Sequence, residues 1–374
     1  MKEAILYIGR FNFPDGSAAA QRVKSNAELF KLLGYKTKFI STWQDGNFYN
    51  EENGMNINQI PQYQQIYKID FIKKYIASLS SEYCIKFIVL YNYPSISSWR
   101  LIKFARKNNI KIIGDVTEWF GMKTGQKGFL QIYKNIDTKL RMKIVLNKFD
   151  GLFVISKFLE DAYKNTNKTL YLPNLYNPNE EKWSILKHEK KLSKEIIQFT
   201  YAGNPGELFE KEDLSGIVNA FNDLNSNNKV LNIIGINEIE YKLRYKNIYR
   251  TEPKVNNSIF HGKLTHENTL QLVYNSHFFI YVRPDTIANK AGFPTKFLES
   301  IVLETPVLTN DVGDVKLYVH NNINGMIINT DELSLKNLIE EFKINDTLEY
   351  KFENNFTINN FYQSTKKFLE NLGG

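Results

Sequence analysis

A single cysteine, Cys84, occurs in the 374-residue chain, so no internal disulfide can form and a disulfide framework is excluded as a source of stability. The five histidines, His188, His261, His266, His277 and His320, show no pairing at metal-ligand spacing, and no metal site is expected. Long apolar runs are also missing. The longest, such as Phe87 to Tyr91 and Phe278 to Val282, have strand length and fall far short of the ~20 residues that span a bilayer. Met1-Lys2-Glu3 leads straight into Ala4-Ile5-Leu6-Tyr7-Ile8, without the basic, apolar and small-residue order of a signal peptide. A cytoplasmic location is the expectation. No short-period repeat is visible, which argues against solenoids and propellers.

What is present points to packed domains. Hydrophobic residues make up 43% of the chain and aromatics 14%, enough apolar surface for real cores and against global disorder. The length favours two domains, since single cores stop growing at roughly 250–300 residues. Lys and Arg number 48 against 40 acids, a formal net charge of +8 that reads as spread along the chain and interleaved with acids. Either a lysine-rich surface or an anionic ligand or lipid surface accounts for it.

Strand-like runs alternate with amphipathic helical stretches, the mark of a parallel sheet covered by helices. In the first half the expected strands are Ala4–Gly9, Lys36–Ser41, Lys86–Tyr91, Lys111–Asp115 and Gly151–Ile155, with helices over Ala18–Leu33, Ser95–Lys107, Phe129–Asn147 and Lys157–Tyr163. From Leu172 to about Lys194 the composition is that of turns. A second series follows, with strands at Ile197–Gly203, Val230–Gly235, Ser258–His261, Phe278–Val282, Thr305–Asn310 and Gly325–Ile328. Its helices are expected over Asp213–Asn225, Thr265–Asn275, Thr295–Leu303, Val312–His320 and Leu333–Phe342. The fold class is therefore α/β, with two doubly wound domains. The expected division is 1–175, a linker over 176–195, a second domain over 196–356, and a terminal helix over 357–374 that must dock on a folded domain.

Open parallel sheets bind ligands at the carboxyl ends of their strands, so the strand-to-helix loops are where function is sought. The first such loop runs from Gly9 through Pro14-Asp15-Gly16-Ser17-Ala18, with Ser17 expected to cap the following helix. It suits a phosphate at a helix start, and equally a tight structural turn. The second holds Gly203-Asn204-Pro205-Gly206 and then Lys211-Glu212-Asp213, where Lys211 is either a point charge for a diphosphate or a solvated lysine. The third is Tyr281-Val282-Arg283-Pro284, then Asn289-Lys290-Ala291-Gly292-Phe293-Pro294-Thr295-Lys296-Phe297-Leu298-Glu299-Ser300, then Thr305-Pro306-Val307-Leu308. Pro294 suits a first helical turn, and Glu299 either accepts ribose hydroxyls or is an ordinary packing-helix residue.

Asp115-Val116-Thr117-Glu118-Trp119 ends a strand of the first half. Asp115 or Glu118 is a candidate to hold or deprotonate an acceptor hydroxyl; the alternative is a turn cap and a solvated acid. Tyr91-Asn92-Tyr93-Pro94 could line the same side or simply pack. Phe129 to Lys148, with Lys127 before it, mixes apolar residues with lysines and an arginine, as a sheet-packing helix or a membrane-surface helix would.

The run Gly292-Phe293-Pro294-Thr295-Lys296-Phe297-Leu298-Glu299 with Thr305-Pro306-Val307 resembles the donor-binding motif of retaining GT-B glycosyltransferases, in particular family 4. Pro14-Asp15-Gly16-Ser17-Ala18-Ala19 is similar to that family's glycine-rich loop. Val154-Ile155-Ser156-Lys157 with Leu172-Pro173-Asn174 resembles the stretch before its linker, and Tyr201-Ala202-Gly203 with Lys211 the opening of its second domain. The resemblance spans nearly the whole chain.

It implies two Rossmann-like domains facing across a cleft, with Gly16 and Glu299 on opposite sides and the last helix crossing back to the first domain. It implies a nucleotide-diphosphate sugar as donor, a UDP-sugar favoured, with no cofactor or metal required. Glu299 would bind the ribose and Lys211 and Arg283 the diphosphate, with Gly16, Ser17, Gly203, Asn204, Lys290, Gly292, Phe293, Pro294, Thr295 and Lys296 around the donor. With Asp115 and Glu118 from the strand end described above, Arg283 completes the expected catalytic residues. The acceptor would be a hydroxyl of a glycan or of a lipid- or protein-linked acceptor, in bacterial surface-glycan synthesis, with an inner-membrane surface and a second glycosyltransferase as further partners and no nucleic acid.

Two positions depart from the family's pattern. Ala291 stands where an acid usually precedes Glu299, and Asn204 where many members carry arginine, so that Arg283 or Lys290 is left to supply the charge. A catalytically inactive GT-B scaffold and a GT-B sugar-nucleotide epimerase are the alternatives. A nucleic-acid binder rests on charge alone.

Overall fold

The computed structural model describes residues 1–11, 17–41, 54–56, 67–119, 129–344 and 355–373. The chain divides into two compact units. The first comprises Met1–Asn177, Ala291–Phe293 and Asn355–Gly374, and the second comprises Pro178–Lys290 and Pro294–Asn354.

The first unit is built on strands β1 (Lys2–Gly9), β2 (Lys36–Ser41), β3 (Gly54–Asn56), β4 (Tyr83–Tyr91), β5 (Lys111–Val116), β6 (Gly151–Val154) and β7 (Thr169–Tyr171). They form one sheet in the order β3-β2-β1-β4-β5-β6-β7, parallel throughout. Such strands are covered on both faces and so read as continuous apolar runs, as Ala4 to Ile8 do, all fully buried. The strand order reverses between β1 and β4, where Gly9 lies beside Tyr91.

Phe153 of β6 meets Phe30 of the helix Ala18–Leu32 on one side and Phe368 of the last helix, Tyr362–Leu372, on another, at ring separations of 5.9 and 5.4 Å. That last helix buries Thr365, Phe368, Leu369 and Leu372, one face at helical spacing, in the core of the first unit. Each of its three large apolar side chains contributes roughly 1.5–3 kcal/mol by burial. Gly151 permits the approach: a Cβ there would stand 2.7 Å from the Phe368 ring. The returning chain is also pinned by its backbone, with Tyr176 N–H donating to Phe356 O and Ile358 N–H to Tyr176 O.

The second unit repeats the plan with β8 (Ile197–Ala202), β9 (Lys229–Ile234), β10 (Ser258–Gly262), β11 (Phe278–Ile280), β12 (Val307–Thr309) and β13 (Gly325–Ile327). The order is β10-β9-β8-β11-β12-β13, again parallel, and it reverses between β8 and β11. Phe199 stacks on Phe278 at 5.2 Å and meets Phe221 edge-on, which fixes the centre of this core.

The helices Ser95–Lys107 and Lys157–Tyr163 stand as the apolar spacing predicts. Others differ for physical reasons. Phe129–Asn147 is helical only to Leu140; a π turn over Arg141–Val145 and a 3-10 turn over Leu146–Lys148 follow. Val312–His320 keeps only a 3-10 turn at Val315–Leu317, because Gly313 takes φ +79° and the Asn324 side chain captures Tyr318 O and His320 N. Glu181–Lys187 is a 3-10 turn with Trp183 buried where turn chemistry alone was expected. The helices Asp70–Leu79, Glu238–Tyr249 and Ile287–Ala291 and the short strands β3 and β7 were not visible in the pattern. Glu238–Tyr249 buries only Tyr241, so its periodicity carries little apolar signal. Among the described residues, no helix is long and apolar enough to cross a membrane.

Candidate functional site

In the second unit the strand reversal between β8 and β11 brings together loops that are distant in sequence. Gly203 follows β8, and a Cβ there would lie 2.6 Å from Glu212 Oε2, so glycine leaves room for that carboxylate to fold in. Tyr201, fully buried, donates its hydroxyl to Glu212 Oε2 at 2.5 Å. Burial pushes the Glu212 carboxyl up, opposed by the Tyr201 hydrogen bond and by the charges of Arg283, Lys296 and Lys211. Three cations, from the loop after β8, the end of β11 and the start of the helix Thr295–Val302, therefore act on one half-buried carboxylate.

Arg283, just past β11, is held by its whole length. Its backbone N–H donates to Asn310 Oδ1 and its carbonyl accepts from Asn310 Nδ2, at 2.9 and 2.8 Å. Its guanidinium donates to the carbonyl and side-chain oxygen of buried Asn289, at 3.2 and 3.0 Å. Its Nε is buried with no hydrogen-bond partner. Burial lowers its pKa, with the nearby Tyr281 and Glu212 working the other way. A cation so placed gains from an incoming anion. Lys290, the other candidate for this charge, is instead paired with Asp285 at 2.6 Å in a partly exposed position. Lys211 is exposed. The Asn204 side chain accepts from Gly206 N–H at 3.1 Å, and Gly206 takes φ +88°, so Asn204 shapes the turn after Gly203.

Pro294 caps the helix Thr295–Val302, which carries Lys296 and Glu299 one turn apart. Glu299 is 5% exposed; His266 Nε2 lies 3.0 Å from its Oε1, and Lys296 Nζ 3.7 Å from its Oε2. Burial would raise its pKa, but the Lys296 charge and the His266 hydrogen bond overcome it, and the carboxyl is held below its ordinary value. The Lys296 charge thus acts on two carboxylates, half-buried Glu212 and buried Glu299. Gly292 and Phe293 belong to the first unit, where Ser156 donates to Ala291 O at 2.7 Å and Asn174 Nδ2 to Phe293 O at 3.4 Å.

The first unit places a different set at its strand reversal. Ser17 caps its helix as expected, accepting from Ala20 N–H, while Gly16 lies outside the described residues. Asp115, at the end of β5, is 1% exposed and has both oxygens taken. Arg22 donates from Nε and Nη2 at 2.7–3.1 Å, and the Tyr7 hydroxyl donates to Oδ2. Arg22 Nη1 also donates to Leu172 O and Pro173 O, at 2.9 and 3.0 Å. Asp115, expected as a candidate for acceptor chemistry, is here the counter-ion of a buried arginine that ties one helix to the end of the sheet. Glu118 is exposed, beside a small cavity lined also by Asn92, Tyr93 and Arg141, in which the Arg141 guanidinium donates to Asn92 O at 2.8 Å.

Sequence reasoning missed Glu212, Asn289 and His266 in the second unit and the Arg22–Tyr7 pair in the first. Glu212 had a usable signal, since it adjoins Lys211 in a loop already singled out. His266 had none: it opens a helix 33 residues before its partner.

The family model for glycosyl transferases group 1 matches residues 187–360. No curated protein sequence matches the chain. Among solved structures, sucrose-phosphate synthase from Thermosynechococcus elongatus is similar at 13% identity and a TM-score of 0.69, over 100% of this chain and 99% of that one. The pneumococcal O-GlcNAc transferase in complex with UDP and GlcNAc aligns at 10% identity and a TM-score of 0.66, over 99% of each chain. UDP-GlcNAc 2-epimerase from Methanocaldococcus jannaschii aligns at 13% identity and a TM-score of 0.57, over 99% of each. These likenesses establish the GT-B fold.

Proposed function

We propose that this protein is a glycosyltransferase that moves a sugar from a nucleoside-diphosphate sugar, a UDP-sugar by preference, to a hydroxyl acceptor with retention at the anomeric carbon, in the synthesis of a bacterial surface glycan. The observation that carries the reading is Arg283, just past β11 at the strand reversal of the second unit, whose buried Nε has no hydrogen-bond partner. That is where open parallel sheets take nucleotides, and it lies inside the segment matched by the glycosyl transferase model.

In this reading Arg283 and Lys296 face the diphosphate and Glu299, ionised and pre-positioned by His266 and Lys296, accepts the ribose hydroxyls. The bond from the anomeric carbon to the diphosphate oxygen breaks with its electron pair on the diphosphate. The acceptor oxygen bonds the anomeric carbon, and its proton passes to the departing oxygen. Charge developing on the diphosphate meets Arg283, whose buried Nε has a donor to offer, and fixed donors of this kind act on the transition state without reorganisation. Protein cations supply that charge, so the reaction proceeds without a metal; turnover is expected to survive EDTA. Asp115 is saturated by Arg22 and Tyr7 and has no oxygen left for an acceptor hydroxyl.

The test is thermal stabilisation by UDP, GDP, ADP and their sugars, followed by turnover with and without a hydroxyl acceptor. A rise in Tm with UDP compounds that Arg283→Ala removes is the expected result. No stabilisation by any nucleoside diphosphate refutes the donor site. Turnover of donor to an epimeric sugar nucleotide without acceptor makes the protein an epimerase, and donor binding with no turnover makes it an inactive scaffold.

A further inference from the structure

The formal charge excess of the chain is not dispersed. The helix Ser95–Lys107 and the helical run from Phe129 to Lys148 hold nine Lys and Arg and one acid between them, a net +8 that equals the net charge of the whole chain. The rest of the chain is formally neutral.

These two segments lie side by side in the first unit. At one end Ser95 donates to Asp137 Oδ1 from its N–H and hydroxyl, at 2.9 and 2.6 Å; at the other, eleven residues on in each segment, Arg106 donates to Lys148 O at 3.2 Å. Their inner faces bury Leu101, Ile102 and Ala105 and, opposite, Met142, Val145 and Leu146. Their outer faces are apolar as well as basic. Ile132, Ile136, Leu140 and Ile144 recur every four residues and, with Ile96 and Trp99, stand 41–59% exposed. Around them Arg100, Lys103, Arg106 and Lys107 are exposed on one helix, and Lys134, Lys139, Lys143 and Lys148 on the other. The one acid, Asp137, is occupied in capping Ser95.

We propose that this two-helix face docks on an anionic lipid surface. Apolar side chains in a row, ringed by cations and carrying an exposed tryptophan, match the interfacial zone of a bilayer: the ridge enters the headgroup boundary and the cations meet lipid phosphates. A strand of nucleic acid would use the charge but gain little from an aliphatic ridge, and a charge-neutral protein partner would leave the cations unanswered. The helix Glu238–Tyr249 supplies the contrast. It exposes Ile239 and Leu243, but its charges are paired, Lys242 with Glu238 and Arg244 with Glu240 within the helix and Lys246 with Glu252 just beyond it.

The experiment is co-sedimentation of the full chain with vesicles of phosphatidylcholine containing about one-third phosphatidylglycerol, against pure phosphatidylcholine. Binding to the anionic vesicles only is expected. Ile132→Ser with Ile136→Ser and Leu140→Ser should weaken it at least tenfold, as should Lys134→Gln with Lys139→Gln and Lys143→Gln. Ile239→Ser with Leu243→Ser should leave it unchanged. All these positions are exposed, so an unaltered Tm serves as the folding control, and an unaltered Tm shift with UDP separates this face from the donor site. Absent binding, equal binding to neutral vesicles, indifference to either patch variant, or tighter binding to a duplex oligonucleotide than to the vesicles overturns the proposal.

Discussion

Two strand reversals, one in each unit, occupy the same place in the same kind of sheet and carry opposite designs. In the first unit, Asp115 is saturated by Arg22 and Tyr7, Arg22 spends its remaining donors on Leu172 O and Pro173 O, and the group excludes solvent. In the second, Arg283 keeps a buried Nε without a partner, Lys211 is exposed, and Lys296 serves two carboxylates at once. A charge group that is fully paired welds elements together; one left short of anions is ready to receive a ligand. The position in the fold offers both uses, and the side chains decide between them.

The comparison breaks first at the sealed cluster. Asp115→Ala should cost about 3–5 kcal/mol, because it leaves the Arg22 charge buried and uncompensated, and urea unfolding monitors the loss. Arg22→Met combined with Asp115→Leu should recover much of it, since neither partner is then stranded. In the open cluster the order inverts. Arg283→Ala should lower turnover by about 10²–10³ in steady-state assays, with a smaller effect on the Tm of the ligand-free protein than Asp115→Ala has.

A finer test uses Gly9, which ends β1, and Gly203, which follows β8. Gly9→Ala would set a Cβ 2.6 Å from Tyr91 Cβ and 2.9 Å from its backbone oxygen, whereas Gly203→Ala would press on Glu212 Oε2, the end of a longer side chain. Overpacking of this kind costs about 1–3 kcal/mol. Gly9→Ala should lie at the upper end in stability, and Gly203→Ala should lose nucleotide binding more than Tm.

The smallest effect concerns pH. Glu299 has a folded-state pKa below its ordinary 4.5, so its contribution to stability is present above pH 4.5 and is lost as pH falls through the folded value. The stability gap between the wild type and Glu299→Gln should therefore narrow on acidification. Thermal melts across that range check it, and a gap that widens instead would assign the depressed pKa to another group.

Most elements were legible because buried parallel strands leave continuous apolar runs and their helices leave periodic ones. Legibility failed where burial was slight, as in Glu238–Tyr249, or where one residue's conformation outweighed the pattern, as Gly313 does after β12. In the site, Lys211, Arg283, Lys296 and Glu299 stood out by type and place in their loops. Glu212, Asn289 and His266 did not, because their significance lies in contacts across 33 residues or more, or in a burial that a polar loop does not announce. The net charge misled in another way. Read along the chain it is interleaved with acids, yet two helices separated by β5 hold all of its excess.

The amino-acid sequence by itself determined the two doubly wound α/β units and the loops that follow their strands, because periodicity and turn chemistry are local properties. Only the tertiary structure decided that Asp115 is sealed by Arg22, that Arg283 and Lys296 gather around Glu212, and that an apolar ridge and eight exposed cations share one face. Coulombic and hydrogen-bonding partners are chosen by distance in space, and the sheet crossovers set those distances.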